Sequence, residues 1–541
     1  MKRILISALL LCVAAGAFAQ NLNPTVEVTN IYAREATGIE KPSQLLQLPD
    51  SVFNFNLDVD YSVRSTPYQG AYEFSPYLVQ LRPMPRPSQE GLLYVRAGAG
   101  YTLHPEATLV WTPWNNGKFR MNVYADHQSY FGNYHNISAQ VNSFTADGTT
   151  RKGSEMRTAA GVNFLAVWSS GQVSTDLQYK NIGGTTLTGT AAYNNVWQLK
   201  ARVKSAPGRV LNYEVGTRMA FTSSPLFSEF HTLTDASIGA RAKLNDFRVG
   251  AEVETVGQQN NFAGLFNIKP HYMLDLSNFH MDLGLIVSFL VRSSESFCPY
   301  GGGVIFPDVH VKMDMVPDVI ALYANATGGN RLVSYDLLLS RNPFMAGMTG
   351  WQTEVSSDRM KVDVGIRGNV SSRFWYDVSA GWKWCVNPWT WGYIPGSQLP
   401  TMGYINHLNI VYGQLDAGWR SDRIDLSASV YYGKTFLPND LTYAQECLFA
   451  PAPFKATARL VYHWGERISA GVVVDGRSAL NSKSGYAIPG YADLGLVYEG
   501  MITRSLGMWV RAGNLLNQSI QYVPFYAQKG PYFTLGVKLI L

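Results

Sequence analysis

The chain ends in the stretch Phe533–Leu541, FTLGVKLIL, in which apolar residues mostly alternate with polar or small ones at a period of two. Successive side chains of a β-strand point to opposite faces, so this pattern predicts a strand with one continuous apolar face. At the exposed edge of a soluble sheet such a strand would promote aggregation. It suits a closed transmembrane barrel in which the last strand pairs with the first, because hydrocarbon cannot satisfy unpaired backbone groups.

The same terminal strand carries a pattern associated with barrel insertion. Four of its residues resemble the C-terminal β-signal by which the barrel assembly machinery of Gram-negative bacteria recognises its clients: Thr534, Gly536, Leu539 and Leu541. Those clients usually end in Phe, whereas this chain ends in Leu. The resemblance implies two partners, namely outer-membrane lipids around the finished barrel and the assembly machinery during insertion.

Period-two alternation recurs upstream, for example at 360–367, 423–432 and 454–464. Short turns of Gly, Pro, Asn, Asp and Ser punctuate the chain, at 115–118, 169–171, 206–208, 245–246, 277–278, 317–318, 371–372, 421–422, 465–466 and 504–505. Ten turns separate eleven hairpins of two strands each, which predicts an all-β, closed, antiparallel barrel of about 22 strands. Longer connections lie at the opposite ends of the strands, for example at 325–350 and 436–453. In outer-membrane barrels short turns face the periplasm and long loops face outside.

Composition excludes the main alternatives to a barrel. Only 15% of the 541 residues are charged while 46% are hydrophobic and 13% aromatic, and an ordinary soluble protein has about 25% charged residues. The aromatic content excludes disorder. Beyond the N-terminus the most apolar stretch is Leu283–Val291, which is far shorter than the ~20 residues of a spanning helix. The formal net charge of +5 is too small and too dispersed to predict a nucleic-acid partner.

The first residues read as a targeting segment. Lys2 and Arg3 precede the apolar run Ile4–Ala15, and small residues stand where a signal peptidase would cleave after Ala19. We therefore assign residues 1–19 to a signal peptide, and expect an integral protein of the outer membrane after its removal. Three cysteines then remain, which permits at most one internal disulfide; they are Cys298, Cys385 and Cys447.

A second resemblance lies just before the last strand. The sequence GNLLNQ at 513–518 and YVPF at 522–525 resembles the C-terminal region of TonB-dependent receptors, through Asn514, Leu515, Leu516, Asn517, Tyr522 and Pro524. That resemblance implies a 22-stranded barrel spanning residues 92–541 and a role in solute uptake. It also implies TonB, or a surface lipoprotein, as a partner.

The chain departs from that family ahead of the barrel. True receptors place a folded plug domain there, but only residues 20–91, 72 residues by position, are available here. The resemblance therefore implies a divergent relative lacking a full plug. Prolines in this segment favour an extended path, either in or under the lumen or as a free periplasmic tail. The stretch Pro24–Thr29 weakly resembles a TonB box.

No motif predicts catalysis or a cofactor. The nine histidines show no metal-type spacing, and there is no nucleophile elbow or phosphate-binding loop, so we predict a protein that is not an enzyme.

Mixed charges on the predicted lumen face indicate a solvated interior; they are Lys361, Asp363, Arg367, Arg423, Asp425, Lys455 and Arg459. Trp389, Trp391 and Tyr393 lie in a long loop, where they fit either a binding surface or a structural aromatic cluster.

Two functions are consistent with these features. The first is uptake or passage of an unassigned solute across the outer membrane. The alternative is a non-transporting barrel subunit that scaffolds an outer-membrane protein complex. The missing plug weighs against autonomous energised transport, whereas the family resemblance weighs for a transport origin.

Overall fold

The computed structural model describes residues 92–541 except 141, 186–188, 190, 207–208, 226–227, 243, 260, 295–297, 299–302, 318, 342–352, 371–372, 397–399 and 466. The predicted signal peptide at 1–19, its cleavage after Ala19, the segment 20–91 and the TonB-box-like stretch lie outside the described residues. Almost every described residue belongs to a strand or to a connection between strands, as the alternating pattern requires.

The described chain forms 28 strands and two short helices. The first strands are β1 (Leu93–Tyr101), β2 (Glu106–Asn115), β3 (Phe119–Gln140), β4 (Ser143–Trp168), β5 (Gly171–Thr185), β6 (Ala191–Ser205), β7 (Leu211–Ser223), β8 (Ser228–Ala242), β9 (Asn245–Gln258), β10 (Asn261–Asp275), β11 (Phe279–Arg292), β12 (Val304–Val316) and β13 (Ile320–Leu332). Helix α1 (Tyr335–Arg341) follows, then β14 (Val355–Asn369), β15 (Phe374–Val386), β16 (Trp389–Tyr393), β17 (Pro400–Tyr404), β18 (His407–Arg420), β19 (Ile424–Phe436) and helix α2 (Tyr443–Glu446). The last strands are β20 (Phe454–Trp464), β21 (Ile468–Arg477), β22 (Leu480–Asn481), β23 (Ala487–Ile488), β24 (Tyr491–Met501), β25 (Leu506–Gly513), β26 (Gln521–Val523), β27 (Tyr526–Ala527) and β28 (Tyr532–Ile540).

Twenty-two of these strands close into one antiparallel barrel. Each of β1 to β14 pairs with the next, and from β15 the ring continues through β18, β19, β20, β21, β24, β25 and β28. The ring closes where β28 pairs with β1, with Tyr94 opposite Ile540 and Tyr101 opposite Phe533. The prediction of a closed antiparallel barrel of about 22 strands is confirmed. Closure leaves no free sheet edge, which is the condition for a β-structure in hydrocarbon.

The two faces of the barrel wall differ as the sequence pattern predicts. On β28, Leu535 and Val537 are 46% and 57% exposed, whereas Thr534 and Lys538 are 0% and 5% exposed. The outward face is therefore apolar and the inward face polar. Polar or charged side chains on the inside and hydrophobic ones on the outside are the arrangement of a barrel surrounded by lipid.

The connections are asymmetric. Nine of the ten predicted short turns fall where consecutive barrel strands meet. The tenth, predicted at 245–246, falls on the first two residues of β9, and the connection itself lies between Ala242 and Asn245. The long connections gather at the other end, where they contain both helices and the hairpins β16–β17, β22–β23 and β26–β27. We call this end the mouth of the barrel. The chain enters the barrel at the opposite end, since the backbone N–H of Leu93 donates to the carbonyl oxygen of Leu541 at 2.9 Å.

Candidate functional site

The lumen wall is lined by ion pairs and hydrogen bonds rather than by a ring of one charge. Lys361 Nζ lies 3.3 Å from Asp363 Oδ1, and Asp363 also accepts a 2.6 Å hydrogen bond from the Asn325 amide. Arg367 stacks over the ring of Tyr323. Opposite charges thus lie side by side on this face, whereas a pore selective for one sign of ion would more often show a single-sign ring.

The mouth is covered by a cap in which five connections meet. Its centre is Phe144 at the start of β4, which is completely buried. Four rings surround Phe144, with centroids at 4.9 Å (Phe525), 5.2 Å (Tyr393), 5.5 Å (Tyr486) and 5.8 Å (Phe449). These residues come from the connections β15–β18, β19–β20, β21–β24 and β25–β28, and Phe144 itself from the β3–β4 hairpin. We use the word cap for this assembly.

Phe144 reaches the cap because β3 and β4 are much longer than their neighbours. Strand β2 pairs with β3 only as far as Gln128, and β5 pairs with β4 only from Glu155 onward. The tip of the β3–β4 hairpin therefore extends past the wall and folds over the mouth. There it pairs in parallel with β23 through Ser143 and Ala487. The amide of Gln521 also donates to the carbonyl oxygen of Phe144 at 2.8 Å.

The aromatic residues predicted as a surface-loop site lie inside this cap. Trp389, Trp391 and Tyr393 form strand β16, which pairs with β17 as a hairpin. Tyr393 is only 6% exposed, because it packs against Phe144 and the rings around it. Trp389 and Trp391 are half-buried and pack against the α1 connection. Their role in binding remains a prediction.

Beside these five connections, the cap includes residues 333–341, which contain helix α1 and which we call the α1 connection; its described residues fold against the lumen wall formed by β6 to β9. Leu338 and Leu339 are completely buried in a cluster with Val196 and Ala220 of the wall. Two carboxylates of the wall accept backbone N–H groups at the start of this segment. Glu229 accepts the N–H of Tyr335 at 2.7 Å, and Glu254 accepts the N–H of Leu332, the last residue of β13, at 3.0 Å.

The most buried charged group of the connection is Asp336. Its carboxylate pairs with the guanidinium of Arg218 on β7 and lies 3.1 Å from Nδ1 of His231 on β8. The Ser334 hydroxyl donates to the same carboxylate at 2.5 Å. Burial alone would raise the pKa of Asp336, but the His231 hydrogen bond and the Arg218 charge outweigh it and hold that pKa well below its usual range.

These residues were not found by sequence reasoning. Asp336 and Arg218 are 118 residues apart, and Asp336 and His231 are 105 apart. No local motif marks them. The sequence predicts a long connection at 325–350, between β13 and β14, but it does not show which wall strands this connection contacts. Those contacts depend on the strand register of the closed barrel.

The motif that resembles TonB-dependent receptors organises the last connection. Asn514 takes a positive φ of 46°, and its side chain is 3% exposed. The Asn514 amide donates to the carbonyl oxygens of Gln518 and Lys529 at 3.0 and 3.1 Å, and its oxygen accepts the Gln518 N–H at 2.9 Å. Tyr522 is buried in the cap, whereas Leu515 and Leu516 are exposed. Asn517 also takes a positive φ, and Pro524 precedes the positive-φ residue Phe525.

The predicted assembly-signal residues lie on both faces of β28. Thr534 is completely buried, and its hydroxyl lies 3.0 Å from His104 Nδ1 across the seam. A Cβ added to Gly536 would come within 2.3 Å of the Ala97 carbonyl oxygen and 2.5 Å of the Trp509 ring, so only glycine fits. Leu541 is 57% exposed on the apolar side. Whether the assembly machinery reads these residues stays a prediction.

A half-buried cation stands beside this seam. Lys529 Nζ lies 2.7 Å from His104 Nε2 and 4.3 Å from the centre of the Tyr532 ring. Burial lowers the pKa of Lys529 to about 8. Burial and the Lys529 charge lower the pKa of His104 to about 2. The neutral imidazole therefore accepts from the lysine through Nε2.

Two kinds of site are not found in the described part of the chain. No group of three or more His, Cys, Asp or Glu side chains among the described residues is placed to hold a metal ion. The described cysteines Cys298, Cys385 and Cys447 are free and buried. Burial raises the pKa of the Cys298 thiol to about 12, so it is unreactive at neutral pH. Within the described ranges, no helix is long and apolar enough to cross a membrane.

The closed ring, the apolar outer face and the long capped loops define an outer-membrane β-barrel of the 22-stranded kind. No protein-family model matches the chain, and no curated protein matches it in sequence. Solved structures do match. The FrpB iron transporter from Neisseria meningitidis (F5-1 variant) is 11% identical with a TM-score of 0.61, over 86% of this chain and 83% of that one.

Two further solved structures give the same result. The ferric-catecholate import receptor Fiu from K12 E. coli is 10% identical with a TM-score of 0.59, over 84% of this chain and 82% of its own. The copper transporter OprC is 12% identical with a TM-score of 0.57, over 83% and 80%. The resemblance to the barrels of TonB-dependent receptors is thereby confirmed for the fold. Identities this low concern the fold alone.

Proposed function

We propose that this protein is an integral outer-membrane barrel that admits a solute into the periplasm. The observation that carries the proposal is a closed ring of 22 strands with a polar inner face, over which the described connections of the cap pack without a disulfide. An unfilled barrel of this size encloses an aqueous channel. The cap connections are tethered to the wall at both ends, so they can separate without disturbing the ring.

Coupling to TonB is the second part of the proposal. Strand β1 begins at the short-turn end, opposite the cap. If short turns face the periplasm, as in other outer-membrane barrels, residues 20–91 join the barrel from the side on which a TonB contact at Pro24–Thr29 would have to lie. Similarity in fold to the FrpB, OprC and Fiu barrels supports this part.

The first test is affinity purification of the tagged full chain from native outer membrane in mild detergent. We expect TonB or a substrate-binding surface lipoprotein to co-purify, as identified by mass spectrometry. Deleting residues 24–29 should abolish TonB recovery, while deleting residues 82–87 of the same segment should not. Equal recovery from both deletions would refute the TonB contact.

The alternative is a scaffold whose lumen stays closed. The buried aromatic centre of the cap favours it, because a permanently packed mouth passes no solute. In that case the purification would instead recover envelope proteins at fixed stoichiometry, and liposomes containing the full chain would remain impermeable to small solutes. Together these two results would overturn the uptake proposal.

Two groups of residues receive proposed roles on this basis. Trp389 and Trp391 are half-buried in the cap, and we propose that opening of the cap exposes their rings as stacking surfaces for a solute or partner. Thr534, Gly536, Leu539 and Leu541 are proposed to direct insertion by the barrel assembly machinery.

A further inference from the structure

The Asp336 contact has the form of an occupied ligand site. A carboxylate from a connection sits between two basic groups of the wall, Arg218 and His231. Charge-assisted pairing with a guanidinium and an imidazolium is how proteins recognise carboxylates. The Asp336 carboxylate therefore occupies the position in which the carboxylate of a solute could bind.

His231 fits this reading because both of its ring nitrogens face carboxylate oxygens. Nδ1 lies 3.1 Å from Asp336, and Nε2 lies 3.1 Å from Glu254. A neutral imidazole carries only one N–H, so both contacts are satisfied by the protonated ring. Glu254 belongs to the wall and stays in place, whereas Asp336 belongs to the connection. Departure of Asp336 would leave one charged N–H of His231 without its acceptor.

The basic side of the site is open to the lumen. The side chain of Arg218 is 33% exposed although that of Asp336 is 4% exposed. Lys200 on β6 lies directly opposite Arg218 in the strand register and is exposed. Lys180 lies on the next strand, and its charge acts on the same region. An anion in the lumen thus meets Lys200 and the exposed part of Arg218 before it meets Asp336.

The acidic groups nearby are already engaged elsewhere. Asp176, opposite Lys200 in the β5–β6 register, accepts the Tyr124 hydroxyl at 2.7 Å. Glu229 accepts the Tyr335 N–H and the Gln258 amide. The wall carboxylates thereby hold backbone and amide groups, and Asp336 is the carboxylate that both Arg218 and His231 share.

We propose that Arg218 and His231 form a carboxylate-binding site in the lumen wall, occupied by Asp336 until a carboxylate-bearing solute displaces it and releases the α1 connection. Competition for one pair of basic groups links binding to opening of the cap, because the solute binds the released state better than the docked state. The site would make carboxylate-bearing solutes the substrate class of the proposed uptake function, and its biological role rests on that function. The binding step itself is measurable without transport.

The test uses Leu338→Cys, a position completely buried under the docked connection, in the full chain purified in detergent. Maleimide labelling of this thiol reports undocking, since the native described cysteines are buried. Citrate is the probe, with sodium chloride of equal ionic strength and glycerol as controls. Citrate should speed labelling about tenfold, which corresponds to roughly 1.4 kcal/mol of lost docking free energy. Leu339→Cys provides the same readout should the first variant fold poorly.

Further substitutions in the Leu338→Cys background test whether the citrate effect on labelling arises at Asp336. Asp336→Asn should label fast without citrate and show no further response. Lys361→Gln, which removes a lumen cation paired with Asp363 on the distant strand β14, should respond to citrate like the parent. Tyr443→Cys, 69% exposed, should label fast under every condition.

Labelling that citrate leaves unchanged, or that sodium chloride or glycerol speeds equally, would overturn the site. The outcome is independent of the uptake proposal. A citrate response in a barrel that passes no solute would preserve the site and refute uptake, whereas solute passage without a citrate response would do the reverse.

Discussion

The cap gives a sharp prediction for Phe144→Ala. The substitution removes a completely buried ring that makes three edge-to-face contacts and one tilted contact, with centroids 4.9 to 5.8 Å away. Truncation of a buried Phe to Ala costs about 3–5 kcal/mol. Because β3 and β4 extend past the wall here, the cost should fall on local opening of the cap and leave the ring of strands intact.

The assay is amide hydrogen exchange read by mass spectrometry. Protection of the cap around 137–146 and 525–527 should fall by roughly a hundred- to several-thousandfold, the factor equivalent to that loss of free energy. Strands β9 to β12 should keep their protection. Phe131→Ala is the matched control, because Phe131 lies on the same hairpin but is 45% exposed. Unchanged cap exchange, or equal loss in β9 to β12, would refute the account of Phe144 as the centre of a separable cap.

Three further predictions concern the seam and the last connection. Gly536→Ala should reduce the heat-modifiable folded fraction on electrophoresis because its Cβ overlaps β1, whereas Gly329→Ala, where nothing lies within 4 Å, should not; equal yields would contradict the overlap. Asn514→Ala should speed protease cleavage within 514–531, since three buried hydrogen bonds at about 1 kcal/mol each are lost. Asn514→Gly should do nearly the same, and full protection in the glycine variant would mean that the positive φ alone matters. The pKa of Lys529 is about 8, against 10.5 ordinarily, so the unfolded chain binds more protons between these values. Barrel stability should therefore rise with pH from about 8 to 10.5 in urea titrations, and Lys529→Met should remove that rise.

The ring of strands was predictable from the sequence because its determinants are local. Alternation fixes which side chains of β28 face lipid, and turn-forming residues mark where neighbouring strands reverse. The cap was predicted only as long connections. Tyr393 alternates like a strand residue, yet its inward orientation depends on Phe144, which is distant in the chain. The pairing of Asp336 with Arg218 likewise depends on the closed register, which no local pattern encodes.

The seam between β1 and β28 also sets the order of events during biogenesis. His104 and Thr534, which meet across it, are separated by 430 residues, so the first strand is made long before its partner exists. Contacts of such long range form slowly, and every intermediate exposes two unpaired strand edges. The unpaired edges of the chain therefore stay open to pairing with other chains until the final strand is in place. A truncation that removes only β28 would leave all the other strand pairs possible and still yield no closed barrel.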